Sequence, residues 1–221
     1  MRLSVLIPVF NEEESVKKLL ERVLSVPCDK EIVVVDDCST DNTWNVLNSI
    51  QDRRIRIRRH EINQGKGAGI RTALAHATSD LVIIQDADLE YDPNDYPRLM
   101  EPILNGQAQV VYGVRDLDSQ KLLLSLGNKF LTLATNLLYG SRISDMETCY
   151  KLMPRDVMLS LNLHATRFQI EPEITAKLLR RGYHIHEIPI WYEPREEKKL
   201  SPWKDGLPAL WTLLKYRFGE V

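Results

Sequence analysis

The segment Gln85-Asp86-Ala87-Asp88-Leu89-Glu90 follows the apolar run LVII, and its residue types point most directly to chemistry. Two carboxylates one residue apart at the end of a buried strand reach a single hard cation and leave positions open for water and phosphate oxygens. The alternative is structural, with Asp88 or Asp92 capping the helix that starts near Pro93. Three more polar clusters follow apolar runs in the same way: Pro8, Phe10, Asn11 and Glu12; Asp36, Asp37 and Ser39; and Gly65, Lys66 and Gly67. Acids at three of these four run ends favour a metal-centred site. Asp36 and Asp37 suit a base edge or ribose hydroxyls, Asp37 the more so, whereas Ser39 or Asp41 suits a helix cap. Gly65-Lys66-Gly67-Ala68-Gly69 lacks both the Gly-Lys-Ser/Thr ending of a P-loop and the G-x-G-x-x-G spacing, and its glycines are as well explained by close backbone approach.

Such clusters converge only on a parallel sheet, which gathers the C-terminal ends of its strands at one edge. The first half of the chain has that rhythm. Strands are predicted at Leu3 to Val9, Glu31 to Asp36, Arg54 to Arg59, Leu81 to Gln85 and Ala108 to Tyr112. Helices are predicted at Glu13 to Val26, Asp41 to Gln51, Gly65 to Thr78 and Asn94 to Asn105. Beyond residue 115 come a long helix (Lys121 to Tyr139), a short mixed segment (Asp145 to Met153), a helix (Glu171 to Arg181) and a strand (His184 to Trp191). A polar linker, Glu193 to Lys204, leads into a last amphipathic helix with Leu207, Leu210, Trp211, Leu214 and Phe218 at helical spacing. With no internal repeat and no dividing linker, residues 1–221 are expected to form one domain.

Composition narrows the function classes. Of 221 residues, 43% are apolar and 27% charged, which excludes disorder and a disulfide miniprotein. The net charge of -2 gives no field for a polyanion, so no nucleic-acid partner is expected. The arginines Arg53, Arg54, Arg56, Arg58 and Arg59 alternate with Ile55 and Ile57 as a strand with one wet face would. Cys28, Cys38 and Cys149 lack C-x-x-C spacing, and His184 with His186 would share a strand face without further ligands. MRLSVLIPVFNEEE fails the pattern of a secretory signal, and no run approaches the length of a bilayer span. A cytoplasmic protein, peripheral at the inner face of the cell membrane at most, is expected.

The segments LSVLIPVFNEEESV, EIVVVDDCSTDNT, NQGKGAGIRTAL and LVIIQDADLEYDP stand in the order and spacing of the family 2 glycosyltransferases. DMETCYKLM, FQIEPEITAKLLRRGYHIHEIPIWYEPR and WKDGLPALWTLLKYRF resemble the branch of polyprenyl-phosphate sugar synthases, such as dolichyl-phosphate mannose synthase and its bacterial glucosyl relatives. The resemblance implies an α/β fold of GT-A (Rossmann-like) type, with a mostly parallel central sheet and a C-terminal amphipathic helix. It further implies a nucleotide-sugar donor, Mg2+ or Mn2+, and inversion at the anomeric carbon. Residues 1–115 would then form the nucleotide-sugar and metal half, and 116–221 the acceptor half. Pro8, Phe10, Glu12 and Asp37 would line the nucleoside pocket, with Lys66 and Ala87 also on the donor. Asp86 and Asp88 would hold metal and diphosphate, and Glu90 matches a position where relatives supply a metal ligand. Arg115 matches an arginine after the fifth core strand, and Arg195 and Lys199 match a basic loop that closes over the donor.

The implied chemistry fits the residues. Breaking the bond from sugar to diphosphate builds negative charge on the leaving group, which a metal with Arg195 or Lys199 stabilises. A polyprenyl-phosphate acceptor is already ionised and needs orientation, for which Arg115, Lys129 and Arg167 are candidates. A hydroxyl acceptor, glycolipid or saccharide, would need a general base, and Asp145 or Glu147 is placed for that. The same two acids would alternatively order their loop through Arg142 or backbone amides. The last helix either packs on the core or on a second copy, or lies on an anionic bilayer with Lys204, Lys215 and Arg217 at its surface. A membrane-protein partner would serve the same end.

Overall fold

The computed structural model describes residues 1–117, 122–195 and 202–219. Among these described residues seven strands form one sheet in the order β3-β2-β1-β4-β6-β5-β7. They are β1 (Leu3–Val9), β2 (Lys30–Asp36), β3 (Ile55–Arg59), β4 (Leu81–Ile84), β5 (Val110–Val114), β6 (Lys151–Pro154) and β7 (Ile185–Pro189). Pairing is parallel except where β6 runs antiparallel between β4 and β5. β1, β2 and β4 are buried along their whole length. Continuous apolar runs are therefore the right sequence signal for strands covered on both faces.

Among the described residues eight α-helices complete the fold: α1 (Val16–Ser25), α2 (Thr43–Asn48), α3 (Lys66–His76), α4 (Tyr96–Leu104), α5 (Leu122–Tyr139), α6 (Arg155–Ser160), α7 (Ile170–Arg180) and α8 (Pro202–Phe218). The chain adds β2 and β3 on one side of β1 and then returns to place β4 on the other. That reversal opens a crevice at the C-terminal ends of β1 and β4, where open α/β sheets hold their ligands.

Three expectations are corrected. The mixed segment Asp145 to Met153 ends in a true strand, β6, which is too short to show a period. The helix predicted from Asp41 starts at Thr43 because the Asp41 carboxylate accepts the Thr43 amide at 3.0 Å, making Asp41 a cap outside the helix. On α8, Leu207, Trp211 and Phe218 face outward, each at least 63% exposed, while Ala209, Leu213 and Tyr216 face the core. The Tyr216 hydroxyl donates to Glu173 at 2.7 Å, and the Tyr139 hydroxyl of α5 donates to the Leu213 carbonyl at 2.7 Å, bolting α8 in place. β3 behaves as a wet-faced edge strand, with Arg56 3.3 Å from Glu31 and Arg59 3.1 Å from Asp36.

Candidate active site

Four strand ends meet at the crevice, and three non-glycine residues there have left-handed backbones: Asn11 (φ 53°), Cys38 (φ 61°) and Leu89 (φ 65°). A branched residue such as Leu89 is costly in this conformation, and such strain gathers where a turn must aim functional groups. Here the turn aims Asp88 and Glu90 from adjoining positions. Asp92, not Asp88, takes the cap, accepting the Asn94 amide at 3.0 Å. Asp88 is thereby left to the crevice.

The carboxylates after β4 are held differently. Asp86 lies 2.7 Å from the Lys66 ammonium, which also reaches Glu171 at 3.0 Å. The charges of Asp86 and Glu171 outweigh burial and hold the Lys66 ammonium well above its usual range. Glu90 accepts the Tyr192 hydroxyl at 2.8 Å and the Arg195 amide at 3.0 Å. Asp88 is pushed up to about 7 by burial and then by its neighbours Asp86 and Glu90. Among the described residues no three His, Cys, Asp or Glu side chains are drawn together as a finished cation site, and the Glu90 carboxylate is turned to Tyr192 and Arg195. The donor set still fits a hard divalent ion: Asp88 resists ionising through burial and then through the nearby Asp86 and Glu90 charges, and a cation there would relieve both.

Arg195 crosses to the β1 side. Its guanidinium grips Glu12 at 2.6 and 3.3 Å, and its Nε donates to the Asp88 carbonyl at 2.8 Å. Pro8 is buried beneath α3, where a Cβ on Gly69 would come within 2.9 Å of it; Ala87 is buried and Phe10 is 37% exposed. Lys199 lies outside the described residues.

Asp37 is committed to its own loop. It accepts the Gln64 and Gly65 amides at 2.9 and 2.7 Å and lies 2.7 Å from His60 Nδ1, so its carboxylate anchors the entry to α3. The glycines of that entry serve close approach: a Cβ on Gly65 or Gly67 would fall 2.5 Å from the Thr166 or Ala165 carbonyl. Gly65 also has φ 94°. Arg167 is exposed beside this loop.

Arg115 and Asp145 are both buried and form a two-pronged pair at 2.7 and 2.8 Å, and the Arg115 amide adds a third bond to Asp145 at 3.2 Å. Of the two readings of Asp145, the geometry is that of a loop anchor, and its partner is Arg115 rather than the exposed Arg142. The Arg115 guanidinium also lies 5.3 Å from the Tyr192 ring centre. Glu147 is different: burial, then the Glu171 and Asp145 charges, against the pull of Lys151 and Arg115, push its carboxyl up to about 7. Its Oε1 is sealed from water and accepts no hydrogen bond.

Sequence reasoning missed Glu171, Lys151 and Tyr192. Glu171 opens α7 and is clasped by Lys66 on one oxygen and Lys151 on the other, at 2.9 Å. The Lys151 ammonium also donates to the Met146 and Thr148 carbonyls. Acids in the first turn of a helix read as ordinary dipole partners, so only the pairing of α3, β6 and α7 discloses this one.

A family model described as glycosyl transferase family 2 matches residues 4–159. The undecaprenyl-phosphate mannosyltransferase of Micrococcus luteus is 28% identical over 99% of this chain and 100% of its own. The low-salt glycan biosynthesis hexosyltransferase of Haloferax volcanii is 30% identical over 92% of this chain, which spans only 51% of that protein. The solved glucosyl-3-phosphoglycerate synthase of Mycobacterium tuberculosis, in complex with Mn2+, uridine diphosphate and glucosyl-3-phosphoglycerate, superposes with a TM-score of 0.79. That likeness covers 100% of this chain and 81% of that one at 19% identity, and it bears on the fold, which is of GT-A type. Matched by the family model over well more than half its length, the chain belongs to glycosyl transferase family 2.

Proposed function

We propose that the protein is an inverting, metal-dependent transferase that moves a hexose from a nucleotide sugar of GDP-mannose or UDP-glucose type to a polyprenyl phosphate at the cytosolic face of the membrane. The observation that carries the lipid acceptor is the outer face of α5. Leu123, Leu126, Phe130, Leu133 and Leu137 recur at spacings of three and four, each at least 55% exposed. This stripe runs about 20 Å along the helix. α5 packs against α8, whose Leu207, Trp211 and Phe218 add to the exposed apolar surface, with Lys215 and Arg217 in its last turn. Such a face suits peripheral contact with an anionic bilayer. Within the described residues no helix is long and apolar enough to cross a membrane.

Mg2+ or Mn2+ held by Asp88 with Asp86, and with Glu90 once it turns from Tyr192, would supply positive charge for the diphosphate that leaves. Lys66 holds Asp86 in place, and Arg195 brings a guanidinium to the same end of the cleft. The relatives support this reading: one is an undecaprenyl-phosphate mannosyltransferase. A second, in Methanococcus voltae, transfers N-acetylglucosamine to dolichyl phosphate and is 26% identical. A second reading, a hydroxyl acceptor on a glycolipid or saccharide, is favoured by Glu147, because a carboxyl raised to about 7 is poised as a base.

The test is transfer of radiolabel from UDP-glucose and GDP-mannose, with Mn2+, into an organic-extractable product. An acid-labile lipid product supports the proposal, and donor hydrolysis without lipid product removes the lipid acceptor.

A further inference from the structure

Glu12 is built as a seat. Its amide donates to Thr43 Oγ1 at 2.8 Å, and its Oε2 accepts the Ser15 hydroxyl at 2.5 Å, so the carboxylate is fixed before any partner arrives. Onto it comes Arg195, with Nη2 to Oε2 at 2.6 Å and Nη1 to Oε1 at 3.3 Å. The segment 191–195 is fastened along the β4 side by the Trp191 amide on Asp95 (2.8 Å), the Tyr192 hydroxyl on Glu90 (2.8 Å) and the Glu193 amide on the Glu90 carbonyl (2.9 Å). Arg195 Nε on the Asp88 carbonyl completes that side. The Arg195 fork then carries the segment across to the β1 side.

We propose that Glu12 is a positioning residue that holds Arg195 across the cleft until the diphosphate of a nucleotide takes the guanidinium from it. A guanidinium fork matches a carboxylate and a phosphate equally well in shape, and it cannot satisfy both with the same N–H groups. Glu12 and the diphosphate are therefore competitors, and the anchor sets how readily the donor enters and leaves. The competition rests on the proposed function, which places the diphosphate at the Asp88 end. The anchoring itself rests only on the geometry.

The test compares Glu12→Gln and Arg195→Met with wild type in two measurements. Hydrogen exchange of the Trp191, Tyr192, Glu193 and Arg195 amides in nucleotide-free protein is expected to quicken about tenfold in both variants, the effect of losing a charge-assisted bond. Calorimetric Kd values for UDP and GDP with Mn2+ are expected to fall several-fold in Glu12→Gln and to rise in Arg195→Met. Unchanged exchange in both variants overturns the anchor. Weaker nucleotide binding in Glu12→Gln overturns the competition and makes Glu12 a nucleotide contact. Failure of wild type to bind either nucleotide overturns the donor reading and the competition together, while the exchange measurement still decides the anchor.

Discussion

Asp145→Asn separates an anchor from a base. The Arg115 guanidinium and the Asp145 carboxylate are both buried and joined at 2.7 and 2.8 Å. With charge centres about 4 Å apart and an effective dielectric near 20, their attraction is about 4 kcal/mol. Stripping one partner from a buried pair costs about 3–5 kcal/mol, because the remaining charge stays in place without compensation. Asn keeps the shape and loses the charge, so a loss of about 3–4 kcal/mol is expected. For a domain of this size that lowers Tm by about 6–15 °C. Urea denaturation of Asp145→Asn, Arg115→Met and the double variant measures this directly. The double variant is expected to be no less stable than Asp145→Asn, since the second substitution removes the stranded charge. An Asp145→Asn protein within about 1 kcal/mol of wild type whose kcat falls by roughly 10²-fold or more would refute this reasoning and restore Asp145 as a base.

Other predictions follow from the same geometry. Glu147, raised from 4.5 to about 7, binds its proton more tightly folded than unfolded, so stability falls as pH rises from about 4.5 through 7. Glu147→Gln is therefore expected to gain up to about 3 kcal/mol at pH 8 and nothing below pH 4.5, read from urea midpoints across pH. Its transfer rate should stay within about threefold of wild type for a phosphate acceptor and fall roughly 10²-fold or more for a hydroxyl acceptor. Asp88→Ala should lose Mn2+ binding and metal-dependent transfer while its Tm is unchanged or higher, since the variant relieves the crowding with Asp86 and Glu90. Near-normal turnover would remove the metal site. Leu126, Phe130 and Leu133 changed together to Gln should leave the fold intact and abolish co-sedimentation with anionic vesicles, and retained vesicle binding would place the membrane face elsewhere.

The elements legible in the sequence are those whose physics is local. β1, β2 and β4 lie buried on both faces and read as unbroken apolar runs. The acids at their ends were readable as neighbours because parallel strands deliver their C-terminal ends to one edge. β6 was not legible, since a strand of four residues with a fully buried lysine has no period and resembles a loop. On α8 the outward stripe of Leu207, Trp211 and Phe218 masked the inward one of Ala209, Leu213 and Tyr216, because both sides of the helix carry apolar residues. Partners far apart in the chain were equally hidden. Asp145 finds Arg115 rather than nearby Arg142, and Lys66 shares Glu171 with Lys151. Both pairings depend on β6 entering the sheet between β4 and β5.

Whether the acceptor is an ionised lipid phosphate, needing orientation and not deprotonation, is decided by offering wild type a polyprenyl phosphate and the polyprenol of the same chain length in one labelled-donor reaction. All lipid label is expected in the phosphate-linked, acid-labile product of an ionised acceptor. Label in the polyprenol, or equal label in both, would contradict it.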